Sequence, residues 1–148
     1  MSIRTATLNG VATIEIARPE KKNAITGAMY TQLAAAFDGA REDNAVRAVL
    51  LTGQPGIFTS GNDIEDFVQR PASLEEAPSF AFMKALMACD KPVVAAVTGA
   101  AIGIGGAMSA CGMPCSVISR TSSHCSRVTT VRKSTPFTNA SRIRSAIS

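Results

Sequence analysis

The sequence predicts a layered α/β fold on three observations. Two short β-prone runs flank Asn9-Gly10, a helical period begins at Thr26, and the apolar runs Val46 to Leu51 and Val93 to Val97 each follow a helical stretch. A length of 148 residues suits one domain, and a hydrophobic fraction of 46% excludes a wholly disordered or collagen-like chain. Aromatic residues make up 5% with no Trp, so Leu, Ile, Val, Ala and Met must build the core.

Ile3 to Leu8 and Val11 to Ile16 form a hairpin, because Asn9-Gly10 tolerates the positive φ angles of a type I′ turn. Arg18 to Asn23 reads as a loop. From Thr26, the apolar residues Met29, Leu33, Ala36 and Phe37 recur at helical spacing until Glu42-Asp43-Asn44. Val46 to Leu51 is a strand closed by Thr52-Gly53, and Gln54-Pro55-Gly56 is a turn by composition. A short helix follows Ile64, then a polar loop near Pro71 and a helix from Pro78 to Ala88, which Pro92 cannot continue. The unbroken apolar run Val93 to Val97 predicts a buried strand, and Thr98 to Gly106 a glycine-rich turn into another helix. From Ser109 no period of 2 or 3.6 is sustained, and no element is predicted.

The net charge of +4 divides unevenly along the chain. Residues 1–108 carry nine Lys or Arg against all eleven carboxylates, whereas residues 109–148 carry six cations and no acid. Ser and Thr make up 15 of those last 40 residues. The expected organisation is therefore a folded part, 1–108, and a Ser/Thr/Arg-rich tail, 109–148. Pro92 to Ile104 is too short to span a bilayer, and Met1-Ser2-Ile3-Arg4 leads into no apolar signal core, so a soluble cytoplasmic chain is expected.

Two turns carry the candidate chemistry. The glycine-rich turn is not a dinucleotide fingerprint, since Met108 stands where the third glycine would fall, and by itself it reads as tight strand-to-helix packing. In Ser60-Gly61-Asn62-Asp63, Asp63 suits a helix N-cap and Gly61 a turn. Taken together, each turn follows a strand-like run and offers backbone N–H groups. Two such donors facing one oxygen make an oxyanion hole.

Four segments in order carry a resemblance: Arg18-Pro19-Glu20-Lys21-Lys22-Asn23-Ala24-Ile25, Val46 to Gly53, Phe58-Thr59-Ser60-Gly61-Asn62-Asp63-Ile64, and Lys91 to Gly99 running on to Gly105. Over about residues 3 to 106 the chain resembles the crotonase superfamily, the enoyl-CoA hydratases and isomerases. The resemblance implies a crotonase-like spiral of β-β-α units, here its N-terminal part, with an irregular basic C-terminal tail. It also implies fatty acid metabolism, an acyl-CoA substrate, and a thioester enolate held by the N–H of Asn62 and the N–H of Ile104. By the same resemblance Lys22 and Ala24 line the pantetheine and nucleotide path, Asp63 and Ile64 sit near the adenine, and Ser60, Gly61, Ala101 and Gly103 line the substrate site. Lys22 read by itself is equally a solvated loop lysine. No cofactor is implied, because coenzyme A is part of the substrate, and no metal, nucleic acid or membrane is expected. The family implies a homotrimer, although the segments that usually build it lie beyond the matched part.

The Phe58 to Asp63 segment looks more like the isomerase branch than the hydratase branch, which more often has Ala where Asn62 stands. Hydratases of the family use two glutamates. Ala107 occupies the first position here, and no Asp or Glu follows Asp90 to fill the second. Impaired catalysis is the expectation, with a non-catalytic acyl-CoA-binding or partner-binding module as the alternative. The departure after Gly106 has three readings: a frameshift, a genuine divergent tail, or a metal-binding extension through Cys111, Cys115, His124 and Cys125. Adjacent His124-Cys125 is not usual zinc spacing, and a tail whose one aromatic residue is Phe137 gives base stacking no support. A spiral cut here leaves Val93 to Val97 exposed unless the tail or another subunit covers it.

Overall fold

Asn9 and Gly10 take φ angles of 51° and 81°, the positive pair a type I′ turn needs. They close β1 (Ile3–Leu8) on β2 (Val11–Ile16), with Ile3 opposite Ile16. Along β2 burial alternates, and Ala12, Ile14 and Ile16 face the core. The computed structural model describes residues 2–68, 73 and 76–103, together with the backbone of 115–121 and 124–130.

Thr26 opens α1 (Gly27–Glu42), its Oγ1 accepting from the Met29 N–H at 3.3 Å. The helix buries Met29, Tyr30, Leu33, Phe37 and Ala40 along one stripe. The chain then enters β3 (Ala48–Thr52), parallel to β2 with Leu51 opposite Ile14. After a tight turn come β4 (Ile57–Thr59), the short α2 (Ile64–Val68) and α3 (Pro78–Ala88). Pro78 stands in the first turn of α3, where its missing N–H costs nothing. Phe82 of α3 is fully buried between Tyr30 and Phe37 of α1, at 5.8 Å from each ring centroid. That cluster joins the helices to the sheet side chains Ile14, Val49 and Leu51 in one core.

β5 (Val93–Thr98) returns parallel to β3, with Ala95 opposite Leu51. It runs into the two-residue β6 (Ala100–Ala101), which pairs parallel with β4 in a separate small sheet. Beyond Ser109, where no element is predicted, the structure adds β7 (Cys115–Thr121) and β8 (His124–Thr130). β7 lies parallel to β5 with Val117 opposite Ala95, and β8 folds back antiparallel on β7. The large sheet therefore runs β1-β2-β3-β5-β7-β8. The physical reason for the difference is that an open strand edge supplies hydrogen-bonding partners irrespective of local period. Val117, Ile118, Val128, Thr129 and Thr130 are β-branched and suit that edge. Val93, Val94, Ala95 and Val97, in the run that a cut spiral would leave exposed, are buried, and β7 of the tail pairs the edge of their strand. The helix predicted after the glycine-rich turn lies outside the described residues.

Candidate functional site

The parallel pairing of β4 with β6 brings the two candidate turns together. Ile57 faces Ala100, Thr59 faces Ala101, and the Ile102 N–H donates to the Thr59 carbonyl at 3.0 Å. Gly61 and Gly103 then meet at φ angles of 95° and 62°. A Cβ on Gly61 would stand 3.3 Å from the Ile102 carbonyl oxygen and 3.8 Å from the Gly103 Cα, so the turns touch backbone to backbone.

On its other side the Gly61 turn pairs with Ile25. The Ile25 N–H donates to the Gly61 carbonyl at 2.8 Å, and the Asp63 N–H to the Ile25 carbonyl at 3.0 Å. In such a parallel bridge the middle residue directs its own N–H away from the partner. The Asn62 N–H therefore faces the side from which Ile102 meets Thr59, and it has no hydrogen-bond partner among the described residues.

Buried polar groups hold this turn in place. Asn23 is 0% exposed at φ 55°. Its Oδ1 accepts from the Arg18 N–H at 2.8 Å, and its Nδ2 donates to the carbonyls of Ile57 and Phe58 at 3.2 and 3.1 Å. The Thr59 hydroxyl donates to the Asn23 carbonyl at 2.7 Å and accepts from the Gly61 N–H at 3.0 Å. The Arg18 guanidinium spans 2.6 Å to Asp63 Oδ2 and 3.0 Å to the Ala24 carbonyl. Asp63 Oδ1 accepts from the Asp66 N–H at 3.3 Å, the bond of an N-cap to α2. Asp66 in turn accepts from the Gly27 N–H at the start of α1, at 2.8 Å. Beside them the Tyr30 hydroxyl donates to Asn62 Oδ1.

The structure gathers most of the predicted site residues at this one locus. Lys22 is exposed at φ 51°, with its carbonyl accepting from the Ser60 N–H at 3.1 Å. Ala24, Ser60 and Ala101 are half-buried, Gly61 is buried, and Asn62 and Gly103 are exposed. Ile64 presents 76% of its surface. The Asp63 carboxylate has both oxygens engaged within the protein, which satisfies the capping role. Ile104 and Ala107 lie outside the described residues, as do the side chains of Cys111, Cys115, His124 and Cys125. Sequence reading passes over Arg18, Tyr30, Asn23, Thr59 and Asp66 as site-building groups. The available signal was Asn23, a residue type that tolerates positive φ, ending a polar loop.

The Arg18 hydrogen bond, joined by the Asp66 N–H, holds the Asp63 carboxyl below the usual carboxylate range. Its folded-state pKa is thus lower than its unfolded value of about 3.9. The carboxylate's contribution to stability is present above that unfolded value and is lost as pH falls through the lower folded one. Urea unfolding of the parent and Asp63→Asn between pH 6 and 2 is expected to show a gap that closes below about pH 4. A gap independent of pH would rule out this linkage.

The enoyl-CoA hydratase/isomerase family model matches residues 6–124. The chain belongs to this family. It is 35% identical over 108 residues to 4-chlorobenzoyl coenzyme A dehalogenase-1 of an Arthrobacter species, covering 68% of this chain and 39% of that one. It is 38% identical over 107 residues to a probable enoyl-CoA hydratase of Rhodobacter capsulatus, covering 70% and 41%. Among solved structures, Pseudomonas aeruginosa OdaA is similar with a TM-score of 0.74 and 45% identity, over 80% of this chain and 47% of OdaA. The chain spans about two fifths of the length of these two curated relatives. The crotonase-type β-β-α architecture expected from the four segments is thus the family's own.

Proposed function

We propose that this enoyl-CoA hydratase/isomerase family protein binds acyl-CoA thioesters and polarises the thioester carbonyl with two backbone donors, the N–H of Asn62 and the N–H of Ile104. The observation that carries the reading is the Asn62 N–H, unpartnered among the described residues on a turn fixed by buried hydrogen bonds. Moving a proton on or off the carbon beside a thioester puts negative charge on the carbonyl oxygen. A donor already in place stabilises that charge without reorganising at the moment of reaction. Because the backbone donates, neither the Asn nor the Ile side chain is an obstacle.

The remaining roles follow from what each position presents. The exposed ammonium of Lys22 suits the phosphates of coenzyme A. Ala24, Ser60, Gly61, Ala101 and Gly103 are small enough for an extended pantetheine to pass. Asp63 and Ile64 open α2, where the bare Ile64 side chain offers an apolar surface to the adenine. The names of the dehalogenase and the hydratase support a CoA thioester as the substrate class. The thioester brings its own coenzyme A, so this reading needs no separate cofactor; the homotrimer is the assembly the family implies, through segments beyond the matched part.

Turnover is a separate matter from binding. Ala107 stands at one expected glutamate and residues 91–148 contain no Asp or Glu, so neither acid/base position is filled within this sequence. Such groups typically contribute about 10² to 10⁴-fold. Calorimetric titration of the full chain with crotonyl-CoA is expected to show saturable binding. Hydration and isomerisation rates are expected at least about 10²-fold below those of a relative bearing the glutamates. Absence of binding would overturn the proposal, and rates equal to that relative's would overturn its impaired half.

A further inference from the structure

The Asn62 turn is bonded on its Ile25 side, where the Gly61 carbonyl and the Asp63 N–H tie down both peptides that flank Asn62, and it is touched by Gly103 on the other. Its side chain adds a further anchor, from α1. Asn62 is exposed, yet its Oδ1 accepts from the hydroxyl of Tyr30, a residue only 4% exposed in the first turn of α1. The Tyr30 ring is fixed in turn by Phe82 of α3, at a centroid distance of 5.8 Å. A rigid ring therefore carries the core's order out to one exposed side chain. Burial pushes the Tyr30 phenol up, so it stays protonated and donates across the physiological range. The amide of Asn62 consequently has one orientation, with Oδ1 towards Tyr30.

We infer that Tyr30 is a positioning residue for the Asn62 donor: its hydroxyl holds the Asn62 side chain and so stiffens the residue whose backbone N–H, aimed by the Ile25 bonds, would meet the thioester oxygen. This rests on the proposed carbonyl-polarising role of Asn62 and adds the residue that stiffens it. The second tie between α1 and the α2 segment, Gly27 N–H to Asp66, lies one turn away and fixes the helix start rather than residue 62. Filling the core is the ring's role, and Tyr30→Phe retains it; the tie to the Asn62 side chain belongs to the hydroxyl alone.

The test compares the full chain with Tyr30→Phe in two measurements. The first is the backbone ¹⁵N order parameter of Asn62, expected to fall below the rigid value of about 0.85 in the variant. Those of Asn23 and Gly61, which keep their own hydrogen bonds, are expected to stay unchanged. The second is the absorption red shift of bound 4-(dimethylamino)cinnamoyl-CoA, whose thioester carbonyl reports polarisation directly. The shift is expected to shrink in Tyr30→Phe while affinity changes less than about threefold, the pattern of a loosened donor rather than lost binding. A full red shift and an unchanged Asn62 order parameter in the variant overturn the inference and leave the proposed function standing. A parent chain that binds the probe with no red shift, or fails to bind it, overturns the carbonyl-polarising reading, and the order parameters then decide the Tyr30 anchor alone. Should Tyr30→Phe not fold, Asn62→Ala cuts the same bond from its exposed side and must loosen position 62 equally; an order parameter kept at 62 in that variant overturns the inference.

Discussion

Gly99→Ala is expected to destabilise the protein by about 3 kcal/mol or more, through backbone strain plus displacement of a packed neighbour. Gly99 joins β5 to β6 at a φ of +80°, and an added Cβ would lie 1.9 Å from the Gly56 carbonyl oxygen and 3.1 Å from the Ile57 nitrogen. These are main-chain atoms of the turn that leads into β4, so relief requires opening the β4–β6 pair that brings the two turns together. For a chain of this size the loss corresponds to a melting temperature lower by roughly 6–12 °C. Gly56 provides the control, since it has a φ of +86° but nothing within 4 Å of a Cβ. Gly56→Ala therefore carries the strain without the collision, about 1–2 kcal/mol. Thermal unfolding followed by circular dichroism decides the matter. Equal losses in the two variants would mean that the close approach at Gly99 has no energetic weight.

Asn23→Ala is expected to cost as much or more, about 3–5 kcal/mol, because several buried polar groups lose partners at once. The Arg18 N–H and the carbonyls of Ile57 and Phe58 all bond to this one side chain, itself fully buried, although the Ile57 carbonyl keeps a second donor in the Gln54 N–H. Positive φ adds about 1 kcal/mol for Ala but none for Gly. Asn23→Gly separates the two contributions in urea unfolding: it is expected to lose nearly as much as Asn23→Ala. If it instead came within about 1 kcal/mol of the parent, strain rather than hydrogen bonding would be the main cost.

Much of the scaffold is legible in the sequence because it rests on local signals. Asn9-Gly10 dictates its own turn, Thr26 caps its own helix, and Pro78 and Pro92 bracket α3. β3 begins at Ala48 rather than Val46, a shift of the kind expected where pairing rather than composition sets a strand's ends. β6, read from sequence as part of a glycine turn, is a strand only because β4 lies beside it. β7 and β8 escape notice for the same reason, their partners being far off along the chain. At the site, the turns around Gly61 and Gly103 announce themselves through glycine. The groups that fix them do not, because a buried Asn or Thr looks like any loop residue until its partners are known. Asp63 is the intermediate case: its cap to α2 is local and readable, whereas its bond to Arg18 spans 45 residues and is not.

That spacing also bears on how the molecule assembles. The side-chain bonds that join Tyr30, Asn23, Gly27 and Arg18 to β4, the turn after it and α2 bridge separations of 32 to 45 residues. The entropy of closing such loops must be met before any of these bonds returns free energy. The β1–β2 hairpin and α1 carry no such penalty and are expected to form first, whereas the bonds around Asn62 are expected on the late, native side of the folding barrier. Interactions formed that late act mainly on the rate of unfolding. Asn23 and Thr59 are therefore expected to act as brakes on unfolding, at the turn that carries Asn62.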